Sequence, residues 1–325
     1  MIDCLTFKDS GLTNEEWDKF VIRANNGTIF HSRKFLDYHQ QRKFADHSLV
    51  FLKKDQIIAL LPATIILSGK EKVFSSHPGS SWGGLVWERL LMNDDAEEIC
   101  QNIIKNAEKE ECNGIEIRLA PIIYQQTPND YFTFHLFKNG FTYLKRDLTS
   151  VIKFTNDSTS LSAYSADNLL RRKAVNKSQR LGVEVIPNSN DWEKFYQLLS
   201  SNLMVKSSTP THTYDELMKL KELFPEQITL WSAYLGKDYI GGICNWEVKP
   251  GYWLLFYSCY QQELSSYRIL NRLYYEFTDH SHQQGSKYLD FGTSSINMEV
   301  NRGLIKFKEQ YTAYGVFRDT MYLKL

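Results

Sequence analysis

The chain has 325 residues, a length that favours about two domains, and its 42% hydrophobic and 23% charged residues are typical of an ordinary soluble globular protein. Lysine and arginine together number 38, as do aspartate and glutamate, so the formal net charge is zero. Neutrality argues against a protein that binds nucleic acid over its whole surface, DNA included, and leaves room for one local basic patch.

Several common protein classes are disfavoured by motifs that the sequence lacks. The longest apolar run, residues 57–67, is too short to span a bilayer, and the N-terminus has no apolar signal core. The five cysteines include no C-x-x-C pair, so we expect free thiols in a reducing cytoplasm. There is no HExxH, Walker-type glycine loop, GxGxxG or GxSxG. Zinc proteases, P-loop NTPases, simple Rossmann enzymes and standard serine hydrolases are therefore disfavoured.

Helix and strand patterns alternate along the first half of the chain. In order, the predicted elements are helices at 14–24 and 32–42, a hairpin at 48–66, a glycine-rich stretch at 78–84, a helix at 94–111 and a strand at 114–119. Thr13 or Asn14 can cap the first helix and Ser32 the second. Acidic residues near the start of the 94–111 helix suit its dipole.

The second half repeats this coarse order. Its predicted elements are helices at 191–204 and 214–223, a hairpin at 228–248, a strand at 252–260, a helix at 267–282 and a strand at 288–291. His280 and His282 lie two apart on a predicted helix and so on different faces, and we expect no metal site there. Strands mixed with helices predict an α/β fold in layers.

Two weak internal sequence similarities, which we call sequence echoes, suggest that the chain arose by duplication. Residues 52–57 (LKKDQI) resemble residues 235–240 (LGKDYI) at an offset of 183 residues. Phe137-Lys138 and Phe307-Lys308 form a second pair at an offset of 170, each followed by an Arg-Asp dipeptide. Echoes in the same order at similar offsets predict two copies of one fold, at residues 1–155 and 156–325.

The most informative stretch is 288–315. It contains Leu-Asp-Phe-Gly-x-Ser at 289–294, then Asn-x-Gly-Leu-x-x-Phe-Lys-Glu at 301–309, and a closing Gly315. Asp290 and Gly292 sit where an apolar strand ends, the place at which α/β sheets gather ligands. A capping aspartate and a turn glycine are the structural alternative for these two residues.

These motifs resemble the C-terminal signature of the Fem-like (FemAB-type) branch of the GNAT acyltransferase superfamily. Residues 209–217 (TPTHTYDEL) are similar to a segment of its bacterial, polysaccharide-associated members, and residues 75–84 resemble the family's Ser-Leu-Pro loop. The likeness runs over most of the chain in the family's order. It implies two tandem GNAT-like domains with a cleft between them, which agrees with the internal repeat.

The resemblance also implies an activity. Family members transfer an acyl or aminoacyl group from an activated donor to an amine, with acyl-CoA or aminoacyl-tRNA as donor. We expect acyl-CoA here, and a sugar nucleotide or cell-envelope glycan precursor as acceptor. The chain has no long heptad insertion of the coiled-coil kind, which weakens the tRNA alternative. A peptidoglycan-type aminoacyltransferase and a non-catalytic double-GNAT module that binds a glycan precursor or partner protein stay open as alternatives.

Four residues are candidates for the chemistry. Lys308 matches the family motif's lysine and can steady an oxyanion or a phosphate, although a solvated lysine would look the same. His212 can accept the amine proton, or merely belong to a helix cap. Asp290 is a candidate base or amine-orienting group. Tyr257 can protonate a leaving thiol, or pack in the core as most strand tyrosines do.

The donor phosphates have two candidate sites. The stretch 261–268, where a GNAT domain carries its glycine-rich pyrophosphate loop, has no glycine, so Ser265, Ser266 and Arg268 are expected to replace part of it unless the serines only cap a helix. The run 171–180 holds five basic residues and no acid. Its residues Lys173 and Lys177 are either a phosphate site or a solvated face.

The remaining candidates concern the acceptor. Substrate contacts are assigned to His77, Ser80, Trp82, Ser294, Asn301 and Glu309, of which Glu309 is also a plausible surface residue or base. The first copy has Ile115-Glu116-Ile117-Arg118 where the second has the Asp290 motif. We therefore expect the chemistry in the second half, with the first half shaping the acceptor site.

Overall fold

The computed structural model describes residues 1–38, 44–155 and 169–325, without the side chains of 169–171. These residues form two compact units, one of Met1–Leu148 with Val316–Leu325 and one of Thr149–Gly315. The last strand of the chain therefore returns to the first unit, which a simple division at residues 155 and 156 does not include. That each half is a GNAT-like domain with those bounds stays a prediction.

The first unit is built from two sheets and the helices beside them. The helices are α1 (Phe7–Ser10), α2 (Asn14–Arg23), α3 (Arg33–Leu36), α4 (Asn93–Lys109) and α5 (Tyr131–Lys138), and the strands are β1 (Asp3–Thr6), β2 (Leu49–Lys53), β3 (Gln56–Leu61), β4 (Thr64–Ser68), β5 (Glu71–Ser75), β6 (Val86–Trp87) and β7 (Gly114–Arg118). Two further strands, β8 (Thr142–Lys153) and β16 (Tyr314–Lys324), carry the chain across the boundary between the units. The sheet orders are β1-β2-β3-β6 and β4-β5-β7-β16.

Local sequence explains the elements predicted for the first unit. Thr13 accepts a hydrogen bond from the backbone of Glu16, whose side chain bonds back to Thr13, so α2 begins with a capping box. The β2–β3 turn has Lys54 and Asp55 at φ of 52° and 59°, the left-handed pair that a two-residue hairpin of type I′ needs. The cap and the hairpin turn are confirmed, but the hairpin predicted at 48–66 ends at Leu61, because Thr64–Ser68 forms β4 and pairs with β5 in the other sheet. Of the helix predicted at 32–42, the structure has the four residues of α3, and 39–42 lie outside the described residues.

The core of the first unit lies between α4 and the larger sheet. Apolar residues at helical spacing on α4, Ile99 and Ile103 among them, are fully buried against Ile115 and Ile117 of β7. The predicted helix at 94–111 and strand at 114–119 are confirmed in these positions. Neither α5 nor β8 was predicted.

The second unit is one large sheet with helices around it, and a separate two-stranded sheet. The helices are α6 (Leu169–Arg180), α7 (Trp192–Met204), α8 (Tyr214–Leu223), α9 (Ile269–Gln283) and α10 (Arg302–Glu309), and the strands are β9 (Val183–Ile186), β10 (Ile228–Leu235), β11 (Asp238–Lys249), β12 (Tyr252–Tyr260), β13 (Tyr288–Thr293), β14 (Ser295–Ile296) and β15 (Glu299–Val300). The sheet order is β8-β13-β12-β11-β10-β9. The parallel strands β12 and β13 are joined through α9, whose Leu273 and Phe277 pack on Ile243 and Leu289 of the sheet.

The elements predicted for the second half are confirmed, with one shift. The helix predicted from residue 267 begins at Ile269, because Gln262–Tyr267 forms a tight 3-10 turn. Neither α10 nor β16 was predicted. Together they explain the second echo of the sequence, since Phe137-Lys138 and Phe307-Lys308 each lie in the last turn of a short helix that is followed by a long strand.

None of the helices in the described part of the chain is long and apolar enough to cross a lipid bilayer. Within residues 1–38, 44–155 and 169–325, no three histidine, cysteine or carboxylate side chains come together in a group that suits a metal ion.

Candidate functional site

The parallel pairing of β12 with β13 ends abruptly. Its register covers three pairs, from Tyr252–Tyr288 to Leu254–Asp290. Beyond them β12 continues to Tyr260 along β11, with a β-bulge at Phe256, whereas β13, which pairs with β8 on its other side at 288–290 and again at Thr293, makes no further pair with β12. On the β13 side, residues 255–260 have no strand partner in the described part of the chain, although the Tyr260 N–H donates to Asn202 Oδ1; we call these residues the open edge of β12. Ligands of α/β sheets gather where neighbouring strands part in this way.

Gly292 forms the turn at which β13 leaves β12. Its φ is +73°, a left-handed conformation that favours glycine, and an added Cβ would lie 3.1 Å from the carbonyl oxygen of Leu255. Asp290 Oδ1 accepts a hydrogen bond of 2.7 Å from the Gly292 N–H. On the other side, Lys308 Nζ donates to the Gly292 carbonyl at 2.7 Å. The peptide groups around this glycine are thus held from both sides.

The predicted residues Asp290, Ser294 and Lys308 come together in one buried network. Each is 1% exposed. Besides Gly292, Lys308 Nζ donates to the carbonyl oxygen of Thr293 at 2.9 Å and to Ser294 Oγ at 3.0 Å. An ammonium has three N–H donors, so these three bonds match its donor capacity.

Two residues of β8 complete this network and were missed by sequence reasoning. Thr149 Oγ1 donates to Asp290 Oδ1, and the hydroxyls of Ser150 and Ser294 lie 2.7 Å apart. Both side chains are buried. Only the pairing of β8 with β13 brings them to the site, and no local motif marks them.

His212 and Tyr257, 45 residues apart, meet as a hydrogen-bonded pair. His212 Nδ1 lies 2.8 Å from Tyr257 Oη, which also accepts the His212 backbone N–H at 3.2 Å. His212 is 3% exposed, and its ring lies against those of Trp246 and Phe256. Burial raises the pKa of Tyr257 to about 12, so its phenol is protonated at neutral pH. Such a pair can pass a proton between an imidazole and a group in contact with the phenol.

The residues predicted to bind donor phosphates lie where β12 leads into α9. Ser265 and Ser266 are exposed in the 3-10 turn, and exposed Arg268 is the residue that caps α9. Arg268 has a φ of 60°, a left-handed conformation that costs a non-glycine residue roughly 1–2 kcal/mol. Strain of this kind tends to persist at functional sites. Arg268 therefore occupies the backbone position where a glycine would be expected and adds a cation.

The basic run forms an exposed face of α6. Arg172, Lys173, Lys177 and Arg180 are exposed, whereas Val175 is buried. In the part of the chain that the structure describes, none of the four cations takes part in an ion pair. No hydrogen bond or ion pair among the described residues links them to the Lys308 network or the His212–Tyr257 pair, so their phosphate-binding role stays a prediction.

The predicted acceptor residues of the first unit are built into its packing. Trp82 is 1% exposed between the rings of Phe30 and Tyr124, and its Nε1 donates to Thr28 Oγ1 at 3.2 Å. His77 is buried, and the half-buried Ser80 donates to the Phe30 carbonyl. Their contact with a substrate stays a prediction.

Two further predicted residues lie at the ends of α10. Asn301 is exposed and caps the helix, its Oδ1 accepting the Leu304 N–H at 3.0 Å. Glu309 is exposed at the last position of the helix, directly after Lys308. Both are accessible to a ligand.

The first unit has a parallel strand pair of the same kind, β5 with β7, which its own chain covers. The register ends at Ser75–Glu116. Beyond it, Ser76 Oγ accepts the Arg118 N–H at 2.7 Å and the Gly83 N–H donates to the Arg118 carbonyl at 3.1 Å. The segment that follows β5 thus stays bonded to β7 beyond the last parallel pair, which β12 and β13 do not.

No family model matches the sequence, and no curated protein sequence matches it. Solved structures match closely in fold. The crystal structure of FemX superposes with a TM-score of 0.74 at 12% identity and covers 99% of this chain and 97% of its own. The C-terminal DUF2156 domain of a putative lysylphosphatidylglycerol synthetase from Agrobacterium fabrum gives 0.59 at 10% identity, covering 95% of this chain and 90% of its own.

A tandem GNAT protein from the clavulanic acid biosynthesis pathway gives a TM-score of 0.55 at 8% identity, covering 100% of this chain and 98% of its own. At these identities the likeness concerns the fold. The chain has the tandem GNAT-type α/β fold that FemX shares, as the sequence motifs predicted.

Proposed function

We propose that the protein is an N-acyltransferase that moves an acyl group from acyl-CoA to an amine of a sugar nucleotide or cell-envelope glycan precursor. The observation that carries this proposal is the open edge of β12, which runs from the Gly292 turn past Tyr257 to the start of α9. An extended donor arm with its own amide groups can lie along such an edge as an added strand. We place the reaction in the cytoplasm, because all five cysteines are free and four of them are buried.

The donor phosphates would bind at the far end of this edge. The N-terminus of α9 supplies partial positive charge, and the exposed Ser265, Ser266 and Arg268 surround it. Arg268 takes the left-handed backbone conformation that a glycine of the loop would take, and adds a cation for the pyrophosphate. This arrangement supports CoA binding in spite of a loop without glycine.

The chemistry needs one bond to form and one to break. The amine nitrogen attacks the thioester carbonyl, the C–S bond breaks, and the products are an amide and the free thiol of CoA. Tyr257 gives its proton to the leaving sulfur and is reprotonated through His212, which receives the proton that the amine loses. The oxyanion takes hydrogen bonds from backbone N–H groups of the open edge, since the three donors of Lys308 are directed to protein oxygens.

The acceptor would lie beside α10. Asn301 and Glu309 are exposed on that helix, and an amide and a carboxylate suit the hydroxyl and amine groups of an amino sugar. Ser294, which is buried beneath them in the Lys308 network, would act by holding this region in place.

A thermal-shift titration with acetyl-CoA tests the proposal. Ligand at 100 times its Kd adds roughly 2.7 kcal/mol to the stability of the folded protein, so a saturable rise in Tm is expected. Arg268→Asn removes the cation and keeps a residue that tolerates the left-handed backbone, and we expect about tenfold weaker binding. A panel of amino-sugar nucleotides with thiol release as readout then identifies the acceptor. No shift at millimolar acetyl-CoA would contradict acyl-CoA as donor.

A charged tRNA is the second candidate donor, and α6 is the observation that favours it. Its four exposed cations carry no ion pairs among the described residues, and a face of this kind neutralises a phosphate backbone. Replacing Lys173 and Lys177 by Glu should abolish retention of aminoacyl-tRNA in a filter-binding assay while leaving acetyl-CoA affinity unchanged. If the double variant retains aminoacyl-tRNA as well as the wild type does, the basic face of α6 is not a tRNA-binding site.

A further inference from the structure

Lys308 is placed in an unusual way for a residue that has been expected to contact substrate. It is 1% exposed, and its ammonium donates to two backbone carbonyls, of Gly292 and Thr293, and to Ser294 Oγ. Three protein oxygens match the three N–H donors of an ammonium. To bind an oxyanion or a phosphate, Lys308 would have to give up one of these bonds.

We propose that Lys308 is a positioning residue, whose ammonium holds the Gly292 and Thr293 carbonyls and the Ser294 hydroxyl so that β13 parts from β12 and the open edge stays available to the donor. This inference rests on the proposed function for the identity of the donor. The turn itself is a property of the ligand-free protein.

The bonds around Gly292 act as a clamp. Asp290 holds the N–H of this glycine and Lys308 holds its carbonyl, while Thr149 holds Asp290. Gly292 keeps its left-handed φ and lies against the Leu255 carbonyl, just past the last β12–β13 pair. Without the clamp, the end of β13 is free to take an extended conformation and continue its pairing along β12, which would close the edge.

The other copy of the sequence echo shows that this placement is specific to the second unit. Lys138, at the equivalent position of α5, has a side chain that is 53% exposed and forms an ordinary surface ion pair with Glu97 at 2.6 Å. Burying an ammonium costs several kcal/mol unless it is fully bonded. A lysine that is buried and fully bonded in one copy, and solvated in the other, indicates that the buried one holds structure of its own.

The test compares Lys308→Met with Lys306→Met, an exposed lysine on the same helix. Hydrogen exchange of the peptide around 289–295 is measured in ligand-free protein, and the Kd for acetyl-CoA is measured beside it. For Lys308→Met we expect exchange about tenfold faster at 292–294 and a Kd about tenfold higher, as for the loss of bonds to a charged group. Lys306→Met should change neither. Lys308→Gln, a neutral donor, should fall between the two and replaces Lys308→Met if that variant does not fold.

Two outcomes would overturn the positioning role. Unchanged exchange in ligand-free Lys308→Met together with lost turnover would mean that the ammonium contacts reacting groups. Faster exchange with an unchanged Kd would mean that Lys308 only supports the fold. If wild-type protein does not bind acetyl-CoA, the proposed donor is wrong, whereas the exchange comparison still decides whether the clamp exists.

Discussion

The two units contain the same parallel strand pair and end it in opposite ways. β5 pairs with β7, and β12 with β13, over three residues each. In the first unit the chain after β5 folds back, and Ser76 and Gly83 bond to both sides of the Arg118 peptide. In the second unit β12 runs on to Tyr260, but β13 makes no pair with it beyond Asp290. One sheet motif thus provides a covered strand end in one copy and an open edge in the other.

The two strand ends differ at one equivalent position. Arg118 and Gly292 each lie two residues beyond the last pair of their strand, after Glu116 and Asp290 respectively. Arg118 anchors its strand end, with its guanidinium donating to the Pro78 carbonyl and to Glu116. Gly292 permits a left-handed turn that any other residue would resist. The same fold therefore needs only a local change to gain or lose a candidate site.

The largest effect is expected at the open edge itself. Tyr257→Phe removes the phenol proposed to protonate the leaving thiolate and should lower kcat by about 10²–10⁴, the usual range for a general acid. Because burial raises the pKa of Tyr257 to about 12, deprotonation of this phenol should give no fall in rate between about pH 7 and about pH 10. Steady-state rates across that range provide the measurement.

Tyr234→Phe is the matched control for this variant, since Tyr234 lies on β10 and its hydroxyl bonds to Lys194 and Asp191. It should leave kcat and its pH dependence unchanged. An alkaline fall in rate that disappears in Tyr257→Phe would show that the phenol ionises within the working range, and would contradict its assignment as an acid.

The next effect concerns the turn that opens the edge. Gly292→Ala adds a Cβ at a φ of +73°, 3.1 Å from the Leu255 carbonyl, and should also abolish acetyl-CoA binding. Gly285 has a φ of +72° with nothing within 4 Å of an added Cβ, so Gly285→Ala reports the backbone cost alone. We expect Gly292→Ala to lower the free energy of unfolding by about 1 kcal/mol more than Gly285→Ala. Urea unfolding measures both variants. An equal loss of unfolding free energy in Gly292→Ala and Gly285→Ala would mean that β13 does not approach β12 closely.

The smallest effect is expected in the first unit. Arg118→Met removes the bonds to Pro78 and Glu116 and should lower the free energy of unfolding by about 1–2 kcal/mol, without any change in the Kd for acetyl-CoA. Arg89→Met, at an exposed position of the same unit, should be neutral in both measurements. A changed Kd in Arg118→Met alone would mean that the covered strand end takes part in donor binding.

Local signals of the sequence predicted the elements that frame the site. Hydrophobic periodicity and capping residues located β12, α9 and β13, and the family motif singled out Asp290, Ser294 and Lys308 before any contact between them was known. The pairing of His212 with Tyr257 followed from no pattern, although both residues were candidates. Local patterns therefore predict which residues lie at the ends of strands and helices, but not which of those residues contact each other.

The rest of the site depends on contacts between distant residues. Thr149 reaches Asp290 across 141 positions, because β8 pairs with β13, and a strand pairing of that range leaves no local trace. Burial of Lys308 is equally unpredictable, since the same Phe-Lys dipeptide is exposed at the end of α5. The left-handed backbone of Arg268 goes against residue preference, so propensity predicts the opposite.

Hydrogen-exchange mass spectrometry with and without saturating acetyl-CoA tests most directly whether the open edge is the donor site. Peptides covering 255–272, from the open edge through the first turn of α9, should gain protection. Peptides covering 76–84 and 116–119 in the first unit should exchange at the same rate with and without ligand. Saturable binding that protects the first unit, or that leaves 255–272 unprotected, would contradict the assignment of the donor to the second unit.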